Sequence, residues 1–164
     1  MTSGQRMVEW EDQRPGWASL TTMSGLDFLR AMIRGEVPDP PIVSLYRMRI
    51  VRADPGEVTF EWEPDQSQCS PNGRVLGGAL SGPFDSALGC AVHTTLPRGQ
   101  GYTSIEIKMN YLRPMQVGMG VLTCDAKVTK PGSRVAFAEA IATDPTGKLI
   151  ATASSSFLVF PLPS

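Results

Sequence analysis

The sequence predicts an α+β domain: one long central helix wrapped by a curved antiparallel sheet, with an N-terminal helical extension. Three observations carry this expectation. The segment from Gly77 to about Thr95 is apolar on most sides, as a buried helix is. The chain after it breaks into long segments of alternating apolar and polar residues, the period of strands with one face buried. Turn sequences join those segments closely enough for antiparallel neighbours. A sheet and a helix that each bury one apolar face against the other form a two-layer domain. A length of 164 residues suits one such domain with a sizeable core.

Residues 1–23 are polar with scattered tryptophans and no clear period, which predicts a loop or a loosely docked arm. Ser24 then opens a helix. It is an N-cap residue with Asp27 three positions on, a short acidic variant of the capping box. Leu26, Phe28, Leu29, Met32 and Ile33 form its apolar stripe, and Gly35 and Pro38 end it. Pro38-Asp39-Pro40-Pro41 reads as a stiff connector. Residues 1–41 are accordingly assigned to the extension and 42–160 to the main domain of a single-domain chain.

Strand signals begin at Ile42, and residues 42–52 are rich in β-branched and long apolar groups. Residues 57–63 place Val58, Phe60 and Trp62 on one face. Asp54-Pro55-Gly56 makes the two a hairpin. Residues 64–76 read as a loop. The central helix of about 18 residues would be about 27 Å long. Four strands follow, at 102–112, 118–130, 134–143 and 148–159. In the first, Ile105, Ile107, Met109 and Tyr111 are expected on one face and Ser104, Glu106, Lys108 and Asn110 on the other. Lys130-Pro131-Gly132-Ser133 and Asp144-Pro145-Thr146-Gly147 are tight turns, with glycine where a positive φ is useful. Gly82-Pro83 falls inside the central helix. It predicts either a kink or a regular helix that begins only near Pro83.

Composition narrows the function classes. A net charge of −1 is not that of a general nucleic-acid binder. The charge is uneven: residues 1–65 hold eleven acidic and seven basic side chains, whereas 98–134 hold six basic and two acidic. The second region is either a solvated face or a site for a phosphorylated ligand. Three cysteines without a CxxC pair predict neither a disulfide framework nor a zinc site. The first ten residues lack the apolar core of a signal peptide, and no run is long enough to span a bilayer. The expectation is a cytoplasmic protein with no membrane partner, no metal and no nucleic acid.

The segment SPNGRVLGGALSGPFDSALGCAV at 70–92 resembles the helix-opening motif of the phenylacetyl-CoA (PaaI-like) hotdog thioesterases, as do GYTSIEIKMNYLRP at 101–114 and DPTGKLIATASSSFLV near the end. The resemblance runs from about Pro41 to Phe160, and the 24–35 helix is similar to an extension of one family branch. It implies the hotdog fold and hydrolysis of an acyl- or aryl-CoA. It implies no cofactor beyond the CoA of the substrate, and a homodimer or dimer of dimers with sites between subunits.

In that family a Gly-Gly pair opens the central helix and an acid follows seven residues later; here these are Gly77, Gly78 and Asp85. Ser104 matches a Ser/Thr that serves the neighbouring subunit's site. Lys130, Gly132, Ser133 and Arg134 match the segment that contacts CoA. The family also has an Asn upstream of the first Gly and a His immediately before it. Ser70 and Leu76 stand there instead, and Pro83 is a third departure.

These residue types suit thioester hydrolysis. A helix N-terminus presents unpaired N–H groups and partial positive charge. Glycine there lets a ligand approach, so Gly77 or Gly78 can polarise the carbonyl. Asp85 can attack or activate water, and Ser104 can orient that water. A carboxylate between Phe84, Ala87 and Leu88 is costly to bury without a partner or a task. The lone His93 reads as a structural or capping residue. Two rival readings remain. One is a non-catalytic binder of acyl-CoA or a lipid-like ligand, favoured by Ser70 and Leu76. The other, a hydratase-type enzyme, lacks a suitable Asp/His pair.

Overall fold

The structure, a computed structural model, describes residues 4–163; Met1 to Ser3 of the predicted arm and the last residue lie outside the described residues. Six antiparallel strands form one sheet: β1 (Met48–Asp54), β2 (Glu57–Trp62), β3 (Gln100–Tyr111), β4 (Leu122–Lys130), β5 (Val135–Thr143) and β6 (Leu149–Pro161). Their order across the sheet is β1-β2-β4-β5-β6-β3, so β1 and β3 are the edges. One long helix, α4 (Gly77–His93), packs into the curve of the sheet and touches every strand.

The core is this helix on this sheet. Leu80, Phe84, Ala87, Leu88, Ala91 and Val92 recur at three- and four-residue steps and are fully buried. Val58, Phe60 and Trp62 face them from β2, as the alternation predicts. On β5 the inward positions are Ala136, Ala138, Ala140 and Ala142, all buried. Alanines there leave room for the helix to lie close to the sheet. Among the described residues, no helix is long and apolar enough to cross a membrane.

Three helices precede β1: α1 (Arg14–Thr22) and α2 (Gly25–Ile33) in the extension, and α3 (Pro41–Tyr46) at its junction with the main domain. In α2, Ser24 accepts the Asp27 N–H at 3.2 Å, the predicted cap. Its Gly25 sits against the end of α4, where a Cβ would come within 1.8 Å of the His93 carbonyl oxygen. Only glycine fits that contact. Two expectations are corrected. Part of the predicted arm is α1, started by Pro15 in its first turn. It buries only Gly16, so it carries no apolar stripe to read. Residues 41–46 are helical rather than the start of a strand. Pro41 presets the first turn, and Arg47, at φ 57°, ends it before β1 begins.

The hairpin at 54–57 forms as predicted, with Gly56 at φ 79°. Gly147 likewise adopts φ 80°, but Gly132 does not have a positive φ. Its requirement is space: a Cβ there would meet the Val135 carbonyl oxygen at 2.0 Å. The question posed by Pro83 is also resolved. Helix α4 runs unbroken from Gly77, with Pro83 buried inside it. Proline removes one N–H, so the Ala79 carbonyl loses its usual donor, and the rest of the helix continues.

Candidate active site

Helix α4 begins at Gly77 without a side-chain cap, since its N-cap residue is Leu76. The Ala79 N–H is taken by the Leu76 carbonyl at 2.9 Å. That leaves the Gly77 and Gly78 N–H groups at the positive end of the helix, where none has a partner within the helix. The two glycines differ. A Cβ on Gly77 would meet the Tyr111 ring at 2.9 Å, whereas Gly78 has only a Leu76 methyl at 3.9 Å. A side chain at position 77 would therefore displace the Tyr111 ring, and Gly78 leaves an open approach to the backbone. Beside it lies a cavity of about 410 Å³, lined by Leu45, Tyr46, Cys69, Leu76, Gly78 and Ala79 among others.

Asp85 stands two turns further along. Gly78, Gly82, Asp85 and Gly89 follow at helical spacing along one face, on which Gly78 and Asp85 are exposed and Gly89 is buried beneath Tyr102. Asp85 is exposed, although Phe84, Ala87 and Leu88 beside it in sequence are buried. The sequence argument that its burial would be costly thus does not apply within one chain. Its partner is Ser104, whose hydroxyl donates to Asp85 Oδ1 at 2.7 Å. The resemblance assigns this serine to a neighbouring subunit's site; in the structure it holds the acid of its own chain. The reason is the path of β3, which runs beside α4 at the sheet edge.

A bulge in β3 puts Ser104 there. Ser104 is opposite Phe157 and Glu106 is opposite Ser156, so Ile105 is the extra residue. Opposed residues share a face of the sheet. Tyr102 and Ser104, opposite Val159 and Phe157, therefore point inward, and so do Ile107, Met109 and Tyr111 beyond the bulge. Regular alternation had placed Ser104 and Ile107 on opposite faces. Ile105 is instead 56% exposed.

The tyrosines are a feature the sequence reading missed. All three lie on glycines of α4: Tyr111 on Gly77, Tyr46 on Gly82 and Tyr102 on Gly89. Tyr102 also packs between the His93 and Phe157 rings, at centroid distances of 5.5 and 5.7 Å. Burial pushes its hydroxyl well above the usual tyrosine range, with Cys90 and Asp85 adding to the shift. Burial likewise pushes the Cys90 thiol up to about 12. Both groups stay protonated at neutral pH and are no nucleophiles. His93 is buried between Phe28 and Tyr102, and burial lowers its pKa to about 4. A neutral ring wedged between α2 and β3 is a structural residue.

Ser70 does not join Asp85. Its Oγ lies 2.6 Å from Asn72 Oδ1 and 2.9 Å from the Arg74 carbonyl oxygen, holding a turn that precedes α4. Lys130, Ser133 and Arg134 are exposed at the β4–β5 turn. Among the described residues neither Lys130 nor Arg134 pairs with an acid, and Gly132 only makes the turn possible. The turn lies toward the Ser104 end of the sheet, since Ala136, Phe157 and Ser104 form one row across β5, β6 and β3. Two strand spacings, about 10 Å, separate β5 from β3.

Comparison with known proteins bears on this geometry. The thioesterase superfamily model matches residues 72–151, from the turn before α4 to the start of β6. No curated protein matches the sequence. Among solved structures, a phenylacetic acid degradation-related protein from Ralstonia eutropha JMP134 is 26% identical. The match covers 79% of this chain and 98% of that one, with a TM-score of 0.73. The PaaI protein of the Escherichia coli phenylacetic acid degradation operon is 17% identical over 88% and 100% of the chains, again with a TM-score of 0.73. A Streptococcus pneumoniae TIGR4 thioesterase protein, solved with coenzyme A, is 20% identical over 71% and 88%, with a TM-score of 0.64.

Proposed function

We propose that this chain, a hotdog-fold member of the thioesterase superfamily, hydrolyses an acyl- or aryl-CoA thioester to the free acid and CoA. The observation that carries the proposal is Asp85, exposed on α4 with one oxygen held by Ser104 and the other without a partner among the described residues. In this reading Gly78, with Gly77, donates backbone N–H groups to the thioester carbonyl. Asp85 takes a proton from water as the water oxygen attacks the carbonyl carbon, or attacks it directly to give, once the thiolate has left, a mixed anhydride that water then hydrolyses to the free acid and the restored carboxylate. The tetrahedral intermediate then collapses, the C–S bond breaks and the CoA thiolate leaves. A thiolate is a good leaving group, so no histidine acid is needed. Lys130 and Arg134 meet the CoA phosphates, and the cavity beside Gly78 receives the acyl group.

Distance argues that two copies make each site. Seven residues of helix separate Gly78 from Asp85 by about 10 Å. A nucleophilic attack of about 3 Å and one N–H···O bond of about 3 Å do not span that on a single carbonyl. An antiparallel α4 from a second copy would bring its Gly78 alongside this Asp85. The open edge of β3 and the exposed face of α4 suit such a homodimer. Ser104 then acts with its own Asp85, and the partner supplies the helix N-terminus.

The second reading is a non-catalytic acyl-CoA binder. It is favoured by Leu76, 58% exposed at the helix start where the resembled family has a histidine, and by Ser70, whose hydroxyl is engaged in a turn. A thiol-release assay over short, long and aromatic acyl-CoAs, run beside calorimetric CoA binding, separates the two. Turnover of at least one class is expected. Binding without turnover across the whole panel would replace hydrolysis with the second reading.

A further inference from the structure

The bulge at Ile105 leaves a question of energy. The half of β3 from Ile107 to Tyr111 is tied to β6 by its register. Were the ladder regular from there, Ile105 would oppose Phe157 and face inward, and Ser104 would oppose Leu158 and face outward. That arrangement would bury an isoleucine, which the hydrophobic effect favours. The structure forgoes that gain and leaves Ile105 exposed. Something must hold the bulged arrangement in place.

The bonds at the bulge supply it. A bulge leaves main-chain groups out of the ladder. Here the Ser155 hydroxyl, on a side chain 3% exposed, donates to the Glu106 carbonyl oxygen. The Glu106 carboxylate in turn accepts the Ser156 backbone N–H at 3.0 Å and the Ser156 hydroxyl at 2.9 Å. Each bond joins Glu106, the residue just after the bulge, to Ser156 opposite it or to Ser155, which is opposite Ile107. None of these groups touches Asp85, and no acid–base pairing of Glu106 competes for its carboxylate among the described residues.

We infer that Glu106, Ser155 and Ser156 are positioning residues. They hold the Ile105 bulge so that Ser104, and not Ile105, faces Asp85. The inference rests on the reading of Asp85 and Ser104 given above. Loss of the clamp lets the strand slip to its regular ladder, which places an isoleucine against the acid and turns the serine to the outer face.

Three variants test this. Glu106→Ala is expected to lower kcat by about 10²-fold, the order associated with a misplaced catalytic contact, with KM within about twofold of wild type. Glu106→Gln keeps an acceptor oxygen and restores kcat. Deleting Ile105 in the Glu106→Ala background also restores it, because the ladder becomes regular with Ser104 still opposite Phe157. The register is read independently of turnover from nuclear Overhauser contacts across β3 and β6. Ser104 opposes Phe157 in wild type and Ile105 opposes it in Glu106→Ala. A Glu106→Ala protein with wild-type kcat, or one that keeps Ser104 opposite Phe157, would overturn the inference. A wild type without turnover would remove the hydrolytic reading, and the register measurement would still decide whether Glu106 sets the bulge.

Discussion

His93 offers a stability prediction that can be worked through in numbers. It is the one histidine of the chain, 5% exposed, packed between Phe28 of α2 and Tyr102 of β3. Burial lowers its pKa from 6.5 to about 4. The unfolded chain therefore binds a proton between pH 6.5 and 4 that the folded chain refuses. Stability rises with pH wherever the unfolded state binds more protons. The contribution of His93 is thus complete above pH 6.5 and lost as pH falls toward 4. A difference of about 2.5 units at 1.36 kcal/mol each amounts to about 3 kcal/mol, of which about 2 kcal/mol is gone by pH 5. For a domain of this size the roughly 2 kcal/mol lost by pH 5 corresponds to a fall in Tm of about 4–8 °C. The assay is urea or thermal unfolding at fixed protein concentration from pH 7.5 to 4, on wild type and His93→Gln. Carboxylates titrate in both proteins, so the difference between the curves isolates His93. A flat difference between pH 6.5 and 5 would refute the reasoning, and so would a wild type that grows more stable on acidification.

Three further outcomes follow from named contacts. Gly89→Ala should destabilise by about 1–3 kcal/mol, because its Cβ would meet Tyr102 at 2.5 Å and that ring is wedged between His93 and Phe157; chemical denaturation reads it. Gly78→Ala has open space and should leave Tm unchanged or slightly raised, while its methyl obstructs the carbonyl site and lowers kcat/KM by about tenfold or more. Replacing Lys130 and Arg134 together by alanine should raise KM for acyl-CoA by about tenfold at low salt, with kcat retained. A thioester that lacks the nucleotide should not distinguish that double variant from wild type, and equal losses on both substrates would remove the turn from CoA recognition.

Much of the fold was legible because its signals are local. The Val58-Phe60-Trp62 alternation, the Asp54-Pro55-Gly56 turn and the Ser24–Asp27 cap each need only neighbours in sequence. The long apolar helix and the Gly77-Gly78…Asp85 spacing were equally readable. What escaped depends on partners far along the chain. The bulge at Ile105 is set by which β6 residue faces Ser104, and the run of residues 102–112 reads as one unbroken alternation without that knowledge. The same holds for the glycines of α4, which looked like permissive backbone. Three of them are seats for Tyr46, Tyr102 and Tyr111, residues 13 to 36 positions away. Asp85 was read as flanked by apolar groups, which is true of the sequence. The helical period sends Phe84 and Leu88 inward and turns the carboxylate out. Helices α1 and α3 were missed because neither buries enough apolar surface to show a period.

In the proposed hydrolysis Asp85 is the group that delivers or activates the attacking oxygen. Asp85→Asn keeps the size of the side chain and an acceptor for the Ser104 hydroxyl, and it removes the charge and basicity. Steady-state thiol release with the best acyl-CoA of the panel should show kcat reduced by about 10²-fold or more, with CoA affinity within about threefold of wild type. Turnover by Asp85→Asn equal to that of wild type would contradict the account at its centre.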